Sequence, residues 1–436
     1  MVEAGGVRLG AGPGVSAARR ERTVLLLVSA VQFVNVLDFI MVVPLGPDFA
    51  AALGIPMSRL GLVTGSYTLA AAAAGAAGAG FLDRFDRRSA LAVAMAGLVA
   101  ATAVAGLASG LGTLLAARVA AGLFGGPATS LSFAIVADTV PPERRGRAMG
   151  VVMGAFSVAS VLGVPTGLWL AQAGGWRLPF LAVAGLGAVV GAAALFLMPH
   201  MRAHLARAPG APRGGYAFLR EPASLLSLAA TGTTMAATFA LVPNLAAFIQ
   251  FNAGWPRERL GLLYMLGGVL SFAVLRVVGR AVDHFGAART AAAGTAVMLA
   301  NLALDFLPAS PLLPAWALFL LFVLANSIRN PALSALASRV PRAAERARFQ
   351  STQSAVQHLA SAAGALLSSA VLTTGEGGRL EGMWKLALFS GTLALSLPLL
   401  LAAVRPHVLR RETAERRDVA RDVARDEAVA LTAIEP

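Results

Sequence analysis

Residues 81–90, "FLDRFDRRSA", place five charges in six positions: Asp83, Arg84, Asp86, Arg87 and Arg88. The flanking stretches, "AAAAGAAGAG" (71–80) and "LAVAMAGLVA" (91–100), carry none, in a chain that is only 13% charged. A knot of charge between two long apolar ribbons reads as a helical hairpin whose arms cross hydrocarbon and whose turn lies in water.

The pattern recurs along the chain. With 57% of its 436 residues hydrophobic, the sequence has too little polar surface for a soluble protein of this length. Apolar runs separated by turn residues predict an all-α polytopic membrane protein. Its twelve spans lie at roughly 23–45, 58–80, 89–109, 112–137, 147–172, 178–198, 222–250, 259–282, 288–307, 312–338, 351–373 and 384–404. The basic segment 1–22 leads into a full-length apolar run, so the first span is expected to be retained, not cleaved as a signal peptide.

Arginine sets the expected orientation. Of 36 Lys and Arg, only Arg59, Arg177, Arg257, Arg259, Arg379 and Lys385 fall in loops after odd-numbered spans, and Arg118 and Arg329 fall inside spans. All the others lie in the terminal segments, in the loops after even-numbered spans, or in the two turns of a span that adjoin those loops. The positive-inside rule places those segments, and both termini, in the cytoplasm. The +14 net charge therefore follows topology and does not call for a nucleic-acid partner.

The chain is also doubled. Asp83-x-Phe85 returns as Asp283-x-Phe285 in "RAVDHFGAAR" (280–289), and Val140-Pro141 returns as Val340-Pro341. Both landmarks are displaced by the same interval, which predicts two six-helix bundles, 23–198 and 222–404. A cytoplasmic linker, 199–221, joins them, and a charged cytoplasmic tail, 405–436, follows. Duplicated transporters hold their substrate near the midplane between the repeats.

Ionisable groups inside spans cost at least ~2.5–3.5 kcal/mol on insertion scales and need a partner or a purpose. Asp38 lies about seven residues from the expected outer end of span 1 and Arg118 about six from that of span 4, depths of ~10 and ~9 Å. The two are expected to face each other. Gln32 and Asn35 share the Asp38 stripe. Arg329, flanked by Asn326 and Asn330, has no acidic residue at a matching depth; these three are expected to line the substrate cavity, with snorkelling of Arg329 toward the head groups as the alternative. His358 lies in span 11 as a candidate proton relay or packing group. Asp38 and Arg118 are expected to couple a proton to substrate in a cavity that Gln32 and Asn35 also line; a static ion pair fixing helix packing is the alternative.

The charged turn resembles the signature loop of the major facilitator superfamily, Gly-x-Leu-Ala-Asp-Arg-x-Gly-Arg-Lys/Arg. Asp83, Arg84, Arg87 and Arg88 match it, while Asp86 and Ala79 replace its glycines; Gly279, Asp283 and Gly286 are similar to it in the second half. "RVAAGLFGG" (118–126) resembles the family's motif in helix 4, "GWRLPF" (175–180) the start of helix 6, and "GVPTG" (Gly163, Pro165, Gly167) the helix 5 motif of the drug–proton antiporter branch. The resemblance implies a secondary transporter working by alternating access, with Asp83, Arg87 and Asp138 clamping the cytoplasmic gate. It further implies proton-coupled export of small organic or drug-like compounds through a bacterial inner membrane, by a monomer whose partners are its substrate, protons and lipid.

Other readings stay open. One is a sugar or polar or anionic metabolite exporter on the same scaffold; another is a non-transporting membrane sensor or scaffold. No phosphate-binding loop accommodates the single lysine, Lys385, so ATP-driven pumping is not expected. No enzymatic activity, cofactor or metal is expected either. The nearest metal spacing, His200 with His204, lacks a third ligand.

Overall fold

The computed structural model describes residues 13–202, 217–308, 310–342 and 345–432. Fifteen helices follow in order: α1 (Pro13–Ile40), α2 (Val42–Leu53), α3 (Leu60–Phe81), α4 (Arg87–Gly106), α5 (Leu111–Thr139), α6 (Pro142–Met153), α7 (Ala155–Val158), α8 (Val164–Gly174), α9 (Arg177–Leu197), α10 (Pro222–Ala247), α11 (Leu260–Phe285), α12 (Ala287–Asn301), α13 (Ala315–Ala337), α14 (Arg346–Val371) and α15 (Met383–Thr432). A two-residue antiparallel ladder, β1 (Thr373–Thr374) with β2 (Leu380–Glu381), closes the α14–α15 loop.

Hydrocarbon offers the backbone no hydrogen-bond partners, so a crossing segment must satisfy its own, and the helix does so. Among the described residues, eleven helices are long and apolar enough to cross a membrane. The expected span 351–373 is the 26-residue α14, long enough but less apolar because it carries Gln353, Gln357, His358 and several serines. The protein is thus an all-α, multi-pass membrane protein.

Several boundaries differ from the sequence expectation, and proline explains two of them. Span 1 does not end near residue 45. It breaks at Met41, where Pro44 has no N–H to offer the Ile40 carbonyl, and resumes as α2. Span 5 is interrupted by a π-turn at Ala159–Gly163, just before Pro165 in the first turn of α8. Span 12 does not stop near 404; α15 runs on through the charged tail, where Arg and acid residues at helical spacing support each other. Between α11 and α12, Gly286 has φ +85°, a conformation that requires glycine at this tight turn.

Small residues bring the helices together. On α5, Gly122 and Gly126 lie against α3: a Cβ on Gly122 would overlap the Tyr67 carbonyl, and one on Gly126 would come within 2.7 Å of the Ala71 carbonyl. The pattern is repeated in each half. Gly163 seats Leu37 of α1, and Gly364 on α14 seats the Ala236 backbone of α10.

The chain divides into two compact units. One comprises Met1–Ala211 with Asn244–Ala247 and Pro256–Gly268; the other comprises Pro212–Pro243, Phe248–Trp255 and Val269–Pro436. The start of α11 groups with the first unit. Three contacts account for this: Arg257 forks onto Asp48, with Nε 2.6 Å from Oδ1; Gln172 Nε2 donates to the Glu258 carbonyl at 3.1 Å; and Gly268 is seated on Val161. Each lies wholly within that unit.

Asp86, which replaces a glycine in the charged turn, has its own work. It caps α4, its Oδ1 accepting from the Arg88 N–H at 2.9 Å. Its carboxylate also accepts from the Met201 N–H at 3.3 Å and Arg202 Nε at 3.1 Å, and lies 2.9 Å from His200 Nδ1. The Arg87 N–H returns a bond to the Met201 carbonyl at 3.3 Å. Burial pushes the Asp86 carboxyl up, but the bonds from His200, Met201, Arg88 and Arg202 outweigh it and bring it down to about 2. The start of the linker is thereby strapped to the turn. His204 lies outside the described residues.

Two outcomes are expected. Gly122→Val, which drives a side chain into the α3 backbone, lowers stability by about 1–3 kcal/mol. Gly112→Val, where a Cβ meets nothing within 4 Å, serves as the neutral control in the same thermal melt. Because the Asp86 carboxyl is depressed, its stabilisation is complete above the unfolded value near 4 and fades as pH falls toward about 2. The gap in melting temperature between wild type and Asp86→Ala is therefore expected to be full at pH 7 and to narrow below pH 4. Asp86→Asn, which keeps a capping oxygen but no charge, falls between.

Candidate functional site

Within the first unit, α1, α3, α4 and α5 bring one polar network into an otherwise apolar interior. Asp38 and Arg118 are 0% and 1% exposed, and Arg118 Nη1 donates to Asp38 Oδ2 at 2.9 Å. The guanidinium stacks over the Tyr67 ring, 4.6 Å from its centroid. The Tyr67 hydroxyl donates to Asn35 Oδ1 at 3.1 Å, and Asn35 Nδ2 donates to the Gly125 carbonyl at 2.9 Å and Thr129 Oγ1 at 2.7 Å. Gly125 must be glycine here, because a Cβ would displace the Tyr67 hydroxyl and the Asn35 oxygen.

Thr102 on α4 completes the carboxylate's surroundings. Its Oγ1 lies 2.8 Å from Asp38 Oδ1 and 2.8 Å from the Leu98 carbonyl. A hydroxyl has one proton and two lone pairs, so it suits either state of the acid. To a carboxylate it donates. From a protonated carboxyl it accepts, turning its own proton to Leu98.

The structure brings together Asp38, Arg118 and Asn35. Gln32 is buried on the same helix, its Oε1 without a partner among the described residues. Sequence reasoning missed Tyr67, Thr102 and Thr129. A tyrosine in an alanine-rich span, one of three in the chain, was a legible signal; threonines in spans are too common to carry one.

In the second unit, Thr238 Oγ1 donates to Asn326 Oδ1 at 3.1 Å, and Ser327 and Ser271 share a bond at 2.9 Å. Arg329 is fully buried, yet Nε, Nη1 and Nη2 have no partner among the described residues; Asn330 Oδ1 is likewise unpaired. His358 is half-buried on α14 and makes no hydrogen bond among the described residues.

At the charged turn, Arg87 is buried and its Nε meets Asp138 Oδ2 at 3.4 Å. Arg84 is exposed and Arg88 half-buried, and the Asp83 side chain lies outside the described residues. In the second half, Asp283 is exposed without an ion pair among the described residues, and Gly279 and Gly286 are uncrowded. In the helix 5 motif, Gly163 receives Leu37, Pro165 follows the π-turn, and a Cβ on Gly167 would meet nothing within 4 Å.

Comparison with known proteins agrees with this architecture. The chain is 31% identical over 365 residues to a chloramphenicol resistance protein of Streptomyces lividans, a match covering 81% of this chain and 91% of that protein. Its fold resembles a bacterial homolog of the human lysosomal transporter Spinster, solved in an inward-facing and unoccupied conformation. That match has a TM-score of 0.68 at 17% identity and covers 91% of this chain and 97% of the other. A D-xylose-proton symporter gives a TM-score of 0.70 at 17% identity, covering 88% and 97%. The family model of the Major Facilitator Superfamily matches residues 28–365. Eleven membrane-length apolar helices among the described residues, the charged turn and this match together place the chain in the Major Facilitator Superfamily, as a membrane transporter and not an enzyme.

Proposed function

We propose that this transporter exports small organic compounds from a bacterial cytoplasm in exchange for protons, with Asp38 as the residue that exchanges them. One observation carries the reading: a fully buried carboxylate is held by a single guanidinium and by a hydroxyl that suits both of its protonation states. Cargo and proton compete for Asp38: cargo that engages the carboxylate displaces its proton, and a swing that parts Asp38 from Arg118 frees it to take up the next. Each proton moving down a 100 mV potential supplies ~2.3 kcal/mol.

The rest of the reading rests on the loops and the relative. Arg87 with Asp138 acts as the cytoplasmic clamp, and the Asp86 strap ties the linker to it. The arginine distribution puts both termini in the cytoplasm. Export is supported by the resistance protein and by the helix 5 motif, and chloramphenicol is accordingly the first compound to try. The chain works as a monomer driven by the proton gradient alone.

Everted vesicles with an imposed pH gradient test this. Chloramphenicol or another member of a drug panel is expected to accumulate with wild type and to be released by a protonophore. Asp38→Asn is expected to abolish accumulation, and Thr102→Val to reduce it at least several-fold while Thr102→Ser retains most of it. Accumulation that survives Asp38→Asn with its pH dependence intact would make the pair structural.

A further inference from the structure

The two fully buried arginines among the described residues, Arg118 and Arg329, are in opposite situations. Arg118 has a carboxylate at 2.9 Å and an aromatic face at 4.6 Å. Arg329 has neither: it is 0% exposed, all three of its guanidinium nitrogens lack a partner among the described residues, and no ring lies under it. A buried guanidinium without a counter-charge is strongly disfavoured, so the position calls for a partner beyond the described residues during the working cycle.

Among the described residues, its own unit sets no acid against it. The buried carboxylate there, Asp305, is already engaged by Asn301 Nδ2 at 3.1 Å and the Leu313 N–H at 3.0 Å. It also sits in the π-turn Leu302–Phe306 that follows α12, about 16 Å along the axis from Gly294, the residue that Arg329 packs against. Gly294 offers no side chain; a Cβ there would press on Arg329 Cγ at 2.8 Å. The stem of the arginine is thus seated, and its head is left unmatched.

The surrounding helix is built for a polar visitor. Pro331 lies inside α13 and has no N–H, which frees the Ser327 carbonyl one turn earlier. The unpaired Asn330 Oδ1 adds a second acceptor. In the first half, Pro127 interrupts α5 at nearly the corresponding position, and paired interruptions of this kind mark binding sites in duplicated transporters.

We infer that Arg329 is the anion-receiving residue of the cargo site, and that the transported compounds include small carboxylates. A guanidinium offers two parallel N–H donors that match a carboxylate edge to edge. Arg329 also lies about eight residues, or roughly 12 Å, from the end of α13, deeper than the lipid headgroup layer. The inference rests on the transporter reading above but not on export or on proton coupling.

The test uses three small monocarboxylates, one aromatic, one alkyl and one hydroxylated, each beside its methyl ester. Binding to purified full-length protein in phosphatidylcholine nanodiscs is measured by thermal shift and by competition. For at least one pair, wild type is expected to prefer the acid by tenfold or more. Arg329→Gln is expected to bring that ratio close to one, and Arg329→Lys to retain part of it. Without ligand, Arg329→Gln is expected to melt no lower than wild type, because the stem against Gly294 is kept and no polar contact among the described residues is lost; a guanidinium that serves packing would melt lower.

No acid preference in any wild-type pair, or a preference unchanged by Arg329→Gln, overturns the inference. So does loss of the preference when phosphatidylglycerol is added, which would make a lipid phosphate the partner. The transporter reading fails separately: vesicles that accumulate nothing would refute export while the acid preference stood, and accumulation of neutral drugs without an acid preference would do the reverse.

Discussion

An unshielded carboxylate and an unshielded guanidinium are each close to intolerable in an apolar interior, and Asp38 and Arg118 make each other tolerable across 2.9 Å. Much around them is arranged for that contact. Gly125 has no side chain so that Tyr67 can reach Asn35, and the Tyr67 ring then supports Arg118. Thr102 fills the remaining side of the carboxylate. Removing one member of such a pair typically costs 3–5 kcal/mol, because the survivor is left charged and buried. A protein that needed only packing energy would do as well with two apolar residues here. The pair therefore makes most sense as something that changes state.

The two halves share a plan but not a chemistry. At the common interval, Asp38 corresponds to Thr238 and Arg118 to the buried Leu318. Where the first unit has an ion pair, the second has a neutral bond between Thr238 and Asn326. Its buried charge, Arg329, is displaced along α13 and unmatched. Duplication supplied the scaffold, and divergence left one half with a closed charge pair and the other with an open charge.

Much of the fold was legible because hydrocarbon permits so few backbone solutions. Long apolar runs and charged turns are enough to count helices, and the fixed interval between Asp83 and Asp283 exposes the repeat. The Asp38–Arg118 contact was legible for a related reason: charges in spans are so few that depth alone nearly pairs them. What could not be read were features set by local geometry. The break at Met41, the π-turn at Ala159–Gly163 and the attachment of Pro256–Gly268 to the first unit depend on where freed carbonyls and forked side chains find partners. Asp86 looked like a flaw in a motif, because a capping carboxylate and a linker strap are visible only once Met201 is beside it. Thr102 gave no signal, since a threonine that bonds the carbonyl four residues back looks the same as one that also faces an acid.

The most direct test of the exchange is to count protons. Purified protein in weakly buffered detergent, with a pH dye, is mixed with a compound that the vesicles accumulate, and the proton release is read. Linkage requires that cargo and proton, if they exclude each other, displace each other reciprocally. The expected result is release of about one proton per wild-type molecule at a pH where Asp38 is protonated, and none from Asp38→Asn at equal cargo occupancy. Equal release from both proteins, or none from wild type at any pH, would contradict Asp38 as the exchanging group.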